Sequence, residues 1–287
     1  MDANQVQHVG VVGCGLMGSG IVEVCARAGV EVTFSEGTDD LVLAGMRRIE
    51  RSLATAVARG KLDADGHAAT LGRITGAATL DALADVDLVI EAATEDPDAK
   101  AAIFGRLGQI TAPEVVLASN TSSIPIASLA AASGRPSSVV GMHFFNPVPV
   151  MPLIELTPAA TTSDDAFALV EGFARDVLGK TCVRSSDEAG FIVNRLLIPY
   201  LYDAIRLYER GFATREDIDT AIELGLAHPM GPLRLADLIG LDTVEHIGEV
   251  LHEAFGDPRY EAPALLTSLI ADGKLGRKSG AGFYDYA

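Results

Sequence analysis

Basic residues are scarce in this chain: 22 Lys and Arg stand against 39 Asp and Glu, a formal charge of −17. Nucleic acids and anionic membranes are met with a basic face, so neither is expected as a partner. Cysteine is scarcer still. Cys14, Cys25 and Cys182 show neither a disulfide framework nor metal-ligand spacing, so no metal is expected and the thiols read as ordinary buried groups of a reducing, cytoplasmic compartment. No stretch reads as a membrane span or signal peptide. The uncharged run Val115–Gly134 carries Asn120, Thr121, several serines and Pro125, and the apolar run Val9–Val22 is broken by five glycines and lacks a basic leader. Internal repeats and low-complexity linkers are also missing. What is present is core material, since a hydrophobic content of 48% excludes a disordered chain.

The length of 287 residues suggests two domains. Short apolar, β-rich runs at His8–Val12, Val30–Ser35, Gly72–Ala77, Val86–Glu91, Val115–Ser119 and Ser138–His143 alternate with helix-like segments at Gly15–Gly29, Asp39–Arg59 and Asp98–Gln109. Repeated βα units of this kind predict a doubly wound, mostly parallel sheet. After the prolines of Asn146-Pro147-Val148-Pro149 comes a further apolar run, Val150–Leu156, for which antiparallel return is the simplest geometry. The pattern then changes to helical spacing over Gly190–Arg210, Pro232–Phe255 and Ala262–Ala271, with Thr214-Arg215-Glu216-Asp217 as a capping box. The expected fold class is therefore α/β over residues 1–187, followed by an all-α domain over residues 188–287.

Gly13-Cys14-Gly15-Leu16-Met17-Gly18 fits G-x-G-x-x-G directly between a strand and a helix. The first glycine permits a tight turn, the second lets backbone approach a pyrophosphate, and the third allows close helix–strand packing. The helix N-terminus then offers free N–H groups to the phosphates. Glu36 follows the second strand, where an acid holds the adenosine ribose hydroxyls. Its carboxylate would repel a 2′-phosphate, and no Lys or Arg occurs between Val30 and Met46 to accept one. The expected cofactor is NAD rather than NADP, in a Rossmann-type domain. A glycine-rich turn beside a solvated glutamate is the plainer alternative, but it does not account for the order of strand, motif, helix, strand and acid.

Further motifs follow: Val89-Ile90-Glu91-Ala92, Ser119-Asn120-Thr121-Ser122-Ser123, His143-Phe144-Phe145-Asn146-Pro147-Val148-Pro149-Val150-Met151 and Gly190-Phe191-Ile192-Val193-Asn194-Arg195. Ala227-His228-Pro229-Met230-Gly231-Pro232 and Gly276-Arg277-Lys278-Ser279-Gly280 complete the series. In this order and spacing the chain resembles the 3-hydroxyacyl-CoA dehydrogenases of the single-function bacterial type, over essentially its whole length. The resemblance implies NAD-dependent, reversible oxidation of an (S)-3-hydroxyacyl-CoA, of short chain such as 3-hydroxybutyryl-CoA, and a homodimer through the helical domain.

Oxidation at C3 sends a hydride to the nicotinamide while the C3 hydroxyl loses a proton, so a base must sit at that oxygen. His143 suits this role because imidazole as a side-chain type titrates near the working pH. A hairpin centred on Pro149 would set Glu155 opposite it, where a carboxylate fixes the imidazole tautomer and stabilises the imidazolium; the resemblance implies the same pair. By resemblance, Ser122 and Asn194 bond the reacting oxygen or the thioester carbonyl, Glu95 and Lys100 lie near the nicotinamide ribose, and Asn120 lines the cofactor. Plainer roles exist for each. His143 alone could be a satisfied core histidine, Ser122 a helix cap and Asn194 a backbone anchor. The combination of four is what points to catalysis. His8, His67, His228, His246 and His252 carry no such constellation.

Coenzyme A sits awkwardly with a charge of −17, but Arg47, Arg48, Arg51, Arg59 and Lys61 cluster on one helix and its exit. By resemblance, Ser52 and Arg59 contact the coenzyme A portion, with Lys61 close by. Local charge outweighs distant net charge because screening acts over about 8–10 Å. A solvated face of arginines pairing Glu50 stays equally open. Two departures from the family pattern are Ala189 where proline is common and Pro152 where lysine is frequent. The length leaves no room for a fused enoyl hydratase, so a multifunctional protein is not expected. Rival functions are the same chemistry on a carrier-protein thioester, a dehydrogenase of free hydroxy acids, and a non-catalytic NAD-binding protein.

Overall fold

The computed structural model describes residues 3–286. It divides into two compact units, residues 1–188 and 189–287.

The first unit is built on one eight-stranded sheet, with strands β1 (His8–Val12), β2 (Glu31–Ser35), β3 (Ile74–Ala77), β4 (Leu88–Glu91), β5 (Val116–Ser119), β6 (Val139–Phe144), β7 (Leu153–Pro158) and β8 (Thr181–Arg184). Their order across the sheet is β3-β2-β1-β4-β5-β6-β7-β8. The six from β3 to β6 are mutually parallel, whereas β7 returns antiparallel to β6 and β8 runs parallel to β7. Every residue of β4 and β5 is buried, as a sheet covered on both faces requires. The chain winds one way from β1 through β2 to β3 and the other way from β4 to β6. The carboxyl ends of β1 and β4 therefore flank a switch point, the place where an open α/β sheet leaves a crevice for ligands.

Helices α1 (Leu16–Arg27), α2 (Asp39–Ala58), α3 (Ala64–Leu71), α4 (Pro97–Ile110), α5 (Ile126–Ala132) and α6 (Asp164–Gly172) connect the strands. Their starts are local. Thr38, Asp63, Asp96 and Ser163 each accept a backbone N–H from the first turn of the helix that follows. The core joins Val9 and Val11 of β1, Ile21 and Val22 of α1, Phe34 of β2, Ile49 and Leu53 of α2 and Ile90 of β4, all buried. The short elements α3 and α6 and the edge strand β8 are not visible in the sequence pattern. Thr181–Arg184 is only partly buried, so no apolar run marks it.

The second unit is helical: α7 (Val193–Glu209), α8 (Arg215–Gly225), α9 (Pro232–Ile239), α10 (Leu241–Phe255) and α11 (Ala264–Ala271). The run Pro232–Phe255 is two helices rather than one. Gly240 at φ 104° breaks it, a conformation that side-chain-bearing residues rarely adopt. Thr214 caps α8 as expected, its Oγ1 accepting from Asp217 N at 3.1 Å, but the reciprocal bond of a capping box goes to the hydroxyl rather than the backbone, Thr214 Oγ1 donating to Asp217 Oδ2 at 2.7 Å. Two buried carboxylates knit the unit together. Asp219 accepts the first amides of α9, from Leu233 and Arg234, while Asp237 accepts Phe283 N, Tyr284 N and the Tyr286 hydroxyl of the terminal segment.

Candidate active site

The glycine loop links β1 to α1. Gly13 adopts φ 85°, and a Cβ there would meet Ala92 O and Ala93 backbone at 2.8 Å, so the turn and the approach of the β4 exit both require glycine. A Cβ on Gly18 would stand 1.9 Å from Gly13 O, which makes the third glycine the floor under the first. Gly15 is different, with no protein atom within 4 Å of a Cβ built on it. It is also the N-cap of α1 and offers no side-chain cap, so the first-turn amides of Leu16 and Met17 face an open cradle. An open second glycine before an uncapped helix N-terminus fits a dinucleotide pyrophosphate. Glu36 stands just beyond β2 and accepts Cys14 N at 2.6 Å, while Arg48 Nη1 donates to Cys14 O at 3.2 Å. Burial, with Glu36 beside it, pushes the Cys14 thiol up to about 12 against the opposing pull of Arg48, so it stays protonated and inert.

Across the switch point, a charged network closes the ends of β4 and β5. Lys100, from the first turn of α4, is buried, and its Nζ donates to Glu91 Oε1 and Oε2 at 2.6 and 2.8 Å. It also lies 3.2 Å from Glu95 Oε2. Glu91 further accepts Ala93 N and the Ser119 hydroxyl, both at 2.7 Å. Glu95 in turn gathers the loop after β5, accepting Thr121 Oγ1 at 2.6 Å, Ser122 N at 2.8 Å and Ser123 Oγ at 3.1 Å. Burial alone would raise the Glu95 carboxyl; Lys100 and the bonds from Thr121 and Ser122 outweigh it and hold the group below the usual carboxylate range. Glu91 sits in the Val89-Ile90-Glu91-Ala92 motif, yet nothing in the sequence marks it as the partner of Lys100. Ser122 does not cap α5, whose first amides, from Ile126 and Ala127, go to Asp187 at 2.7 and 2.8 Å. Asn120 Oδ1 accepts Phe144 N at 2.9 Å and so bridges the exits of β5 and β6.

His143 and Glu155 are directly opposite in the antiparallel β6–β7 register. Side chains at paired positions point to the same face of a sheet, and here they meet: His143 Nδ1 donates to Glu155 Oε2 at 2.8 Å. Glu155 is fully buried and His143 nearly so, with the Phe145 ring 4.7 Å from the imidazole. The intervening turn is tied down by a residue that sequence reading passes over. Lys180, buried ahead of β8, donates from Nζ to Val148 O and to Met151 O, both at 2.7 Å. Val148 in turn packs on α1, where a Cβ at Gly20 would come within 2.8 Å of it. The histidine hairpin is thus braced by the same helix that carries the glycine loop.

The first unit therefore brings the glycine loop, Glu36, the Glu91–Lys100–Glu95 network, Ser122, Asn120 and the His143–Glu155 pair to the carboxyl edge of one sheet. Ser52 lies half-buried on α2, with Arg59 at its C-cap and Lys61 exposed just past it, beyond β2 and on the other side of the switch from β6 and β7. Arg47 and Arg51 are exposed on the same helix. Asn194 is buried in the first turn of α7, in the second unit. Among the described residues no cluster of His, Cys, Asp or Glu could hold a metal, and no helix is long and apolar enough to cross a membrane.

Comparison with known proteins agrees with this geometry. Residues 8–188 match the family model for the 3-hydroxyacyl-CoA dehydrogenase NAD binding domain, and residues 190–286 match that for the C-terminal domain. The chain is 53% identical over 285 residues to a 3-hydroxybutyryl-CoA dehydrogenase of Mycobacterium tuberculosis, covering 99% of this chain and 100% of the relative. It is 42% identical to the human mitochondrial hydroxyacyl-coenzyme A dehydrogenase, over 98% of this chain and 91% of that one. Among solved structures, the (S)-3-hydroxybutyryl-CoA dehydrogenase PaaH1 of Ralstonia eutropha superposes with a TM-score of 0.92 at 43% identity, covering 99% of this chain and 100% of that one. With a dinucleotide cradle at its switch point and both family domains matched nearly end to end, the chain belongs to the 3-hydroxyacyl-CoA dehydrogenase family of NAD-dependent oxidoreductases.

Proposed function

We propose that this protein reversibly oxidises (S)-3-hydroxyacyl-CoA to 3-ketoacyl-CoA and that its substrate is of short chain, (S)-3-hydroxybutyryl-CoA or a near homologue. The observation that carries the chemistry is the buried His143–Glu155 pair at 2.8 Å, on the same sheet edge as the glycine loop. The short chain is supported by relatives bearing that name at 53% and 44% identity.

In this reading Glu155 holds the Nδ1 proton of His143, which leaves the lone pair on Nε2 to take the C3 hydroxyl proton. The imidazolium so formed is stabilised by the Glu155 carboxylate in a site where burial strengthens the attraction. Bound NAD supplies the hydride acceptor. Gly13, Gly15, Leu16, Met17 and Gly18 hold its pyrophosphate, Glu36 its adenosine ribose, and Asn120, Glu95 and Lys100 line the nicotinamide side. Because Lys100 is already paired with two carboxylates, its role is to hold Glu95 and the Ser122 loop rather than to attract an anion. Ser122 and Asn194 donate to the substrate oxygens, and Ser52, Arg59 and Lys61 meet the coenzyme A portion. Residues 189–287 then act as the substrate and dimerisation domain of a cytoplasmic homodimer. It exposes Leu196, Phe212, Leu224 and Leu226, each between 60% and 81% accessible, apolar side chains that self-association would cover.

The test is NADH oxidation followed by absorbance, with acetoacetyl-CoA and free acetoacetate in parallel. Turnover of the thioester alone is expected; equal turnover of the free acid would move the substrate class, and turnover of neither with NADH bound would favour a carrier-protein thioester or a non-catalytic NAD-binding protein. Light scattering at micromolar concentration should give twice the 30.0 kDa chain mass, and a monomer would refute the dimer.

A further inference from the structure

Two of the arginines on α2 make different backbone contacts. Arg51 turns back along the helix, its Nε donating to Arg47 O at 3.3 Å. Arg48 instead reaches across to the glycine loop, where its Nη1 donates to Cys14 O. Cys14 is the residue whose N–H is held by the Glu36 carboxylate. A carboxylate and a guanidinium are thus anchored on the two polar backbone atoms of a single residue. They are no farther apart than the span of that residue and two hydrogen bonds. Arg48 has no carboxylate partner among the described residues, unlike Arg27, Arg106 and Arg175 of the same unit. Its bond to a neutral carbonyl would be given up readily for a dianionic phosphate, which a guanidinium grips through two parallel N–H groups.

In dinucleotide folds an acid at the end of β2 selects the free ribose 2′-hydroxyl, and a nearby arginine accommodates a 2′-phosphate. This chain holds both devices side by side. We infer that Arg48 is a cofactor-specificity residue, a latent acceptor for the 2′-phosphate of NADP that the Glu36 carboxylate keeps out of use. The inference rests on the reading of Glu36 as the ribose-binding acid.

Calorimetric titration of NADH and NADPH into the purified full chain tests it without turnover. Relative to wild type, Glu36→Ser should shift the NADPH-to-NADH affinity ratio toward NADPH by at least about tenfold, equivalent to about 1.4 kcal/mol. Adding Arg48→Leu to that background should remove the gain in NADPH affinity and move NADH far less. A gain that survives in the double variant would overturn the inference, as would an unmoved ratio in a Glu36→Ser protein that still binds NADH. If Glu36→Ser does not fold, as judged by circular dichroism, Glu36→Gln serves in the same scheme because it keeps the hydrogen-bonding atom at Cys14 and removes the charge. A raised KM for acetoacetyl-CoA in Arg48→Leu, together with a Glu36→Ser gain in NADPH affinity that persists when Arg48→Leu is added, would assign the arginine to coenzyme A and likewise overturn it. Failure of the dinucleotide site itself would look different: wild type would bind neither nucleotide.

Discussion

Lys100→Met isolates the network that closes β4 and β5. In the wild type its side chain is 1% accessible, its ammonium bonds Glu91 and lies near Glu95, and Glu91 is fully buried. Methionine matches the stem in size but leaves the Glu91 carboxylate with only Ala93 N–H and the Ser119 hydroxyl. Removing one partner of a buried ion pair costs about 3–5 kcal/mol, because the other charge stays desolvated and uncompensated. For a unit of this size each kcal/mol lowers Tm by about 2–4 °C, so thermal unfolding followed by circular dichroism should show a drop of about 6–20 °C. Glu91→Gln in the same chain should restore a large part of it, since glutamine can still accept Ala93 N–H and bond Ser119 without a charge. The pH dependence has a definite sign. The Glu95 carboxyl is held below its ordinary value, so its stabilising contribution is complete above about pH 4.3 and is lost as pH falls through the depressed value. Lys100→Met removes the main cause of that depression, so the gap between variant and wild type should narrow in acid. A variant melting within about 2 °C of wild type at neutral pH, or a double variant no better than the single one, would refute the reasoning.

His143→Gln should abolish turnover of acetoacetyl-CoA and leave NADH affinity nearly intact; loss of NADH binding would make the histidine structural. Glu155→Gln should lower kcat by about 10²–10⁴-fold, with KM much less affected, because the imidazolium loses its charge partner. Gly15→Ala and Gly18→Ala should separate cleanly. The first adds a methyl where the protein leaves open space, so Tm should hold while NADH affinity falls. The second drives a Cβ to within 1.9 Å of Gly13 O and should lower both. Lys180→Met leaves the Val148 and Met151 carbonyls without their buried donor, at about 1–3 kcal/mol each. Its kcat should fall through the loosened histidine hairpin, with partial rescue by Lys180→Arg; an unchanged kcat would show that the hairpin holds without it.

The sequence by itself determined the sheet's first six strands, the glycine loop, the acid after β2 and the hairpin that sets position 143 opposite 155. Each is local or periodic. Apolar runs bounded by turns mark buried strands, glycine spacing marks the loop, and the prolines at 147 and 149 mark the reversal. The tertiary structure alone decided what those elements touch. Glu91 and Lys100 are nine residues apart on a strand and a helix, and only the winding of α4 back over the sheet pairs them. Lys180 reaches a loop 29 to 32 residues upstream, Asp187 caps a helix 60 residues before it, and Arg48 leaves its neighbours on α2 to meet a carbonyl 34 residues away. No periodicity encodes such contacts. They arise because buried polar groups must find partners, and the fold settles which partners lie within reach.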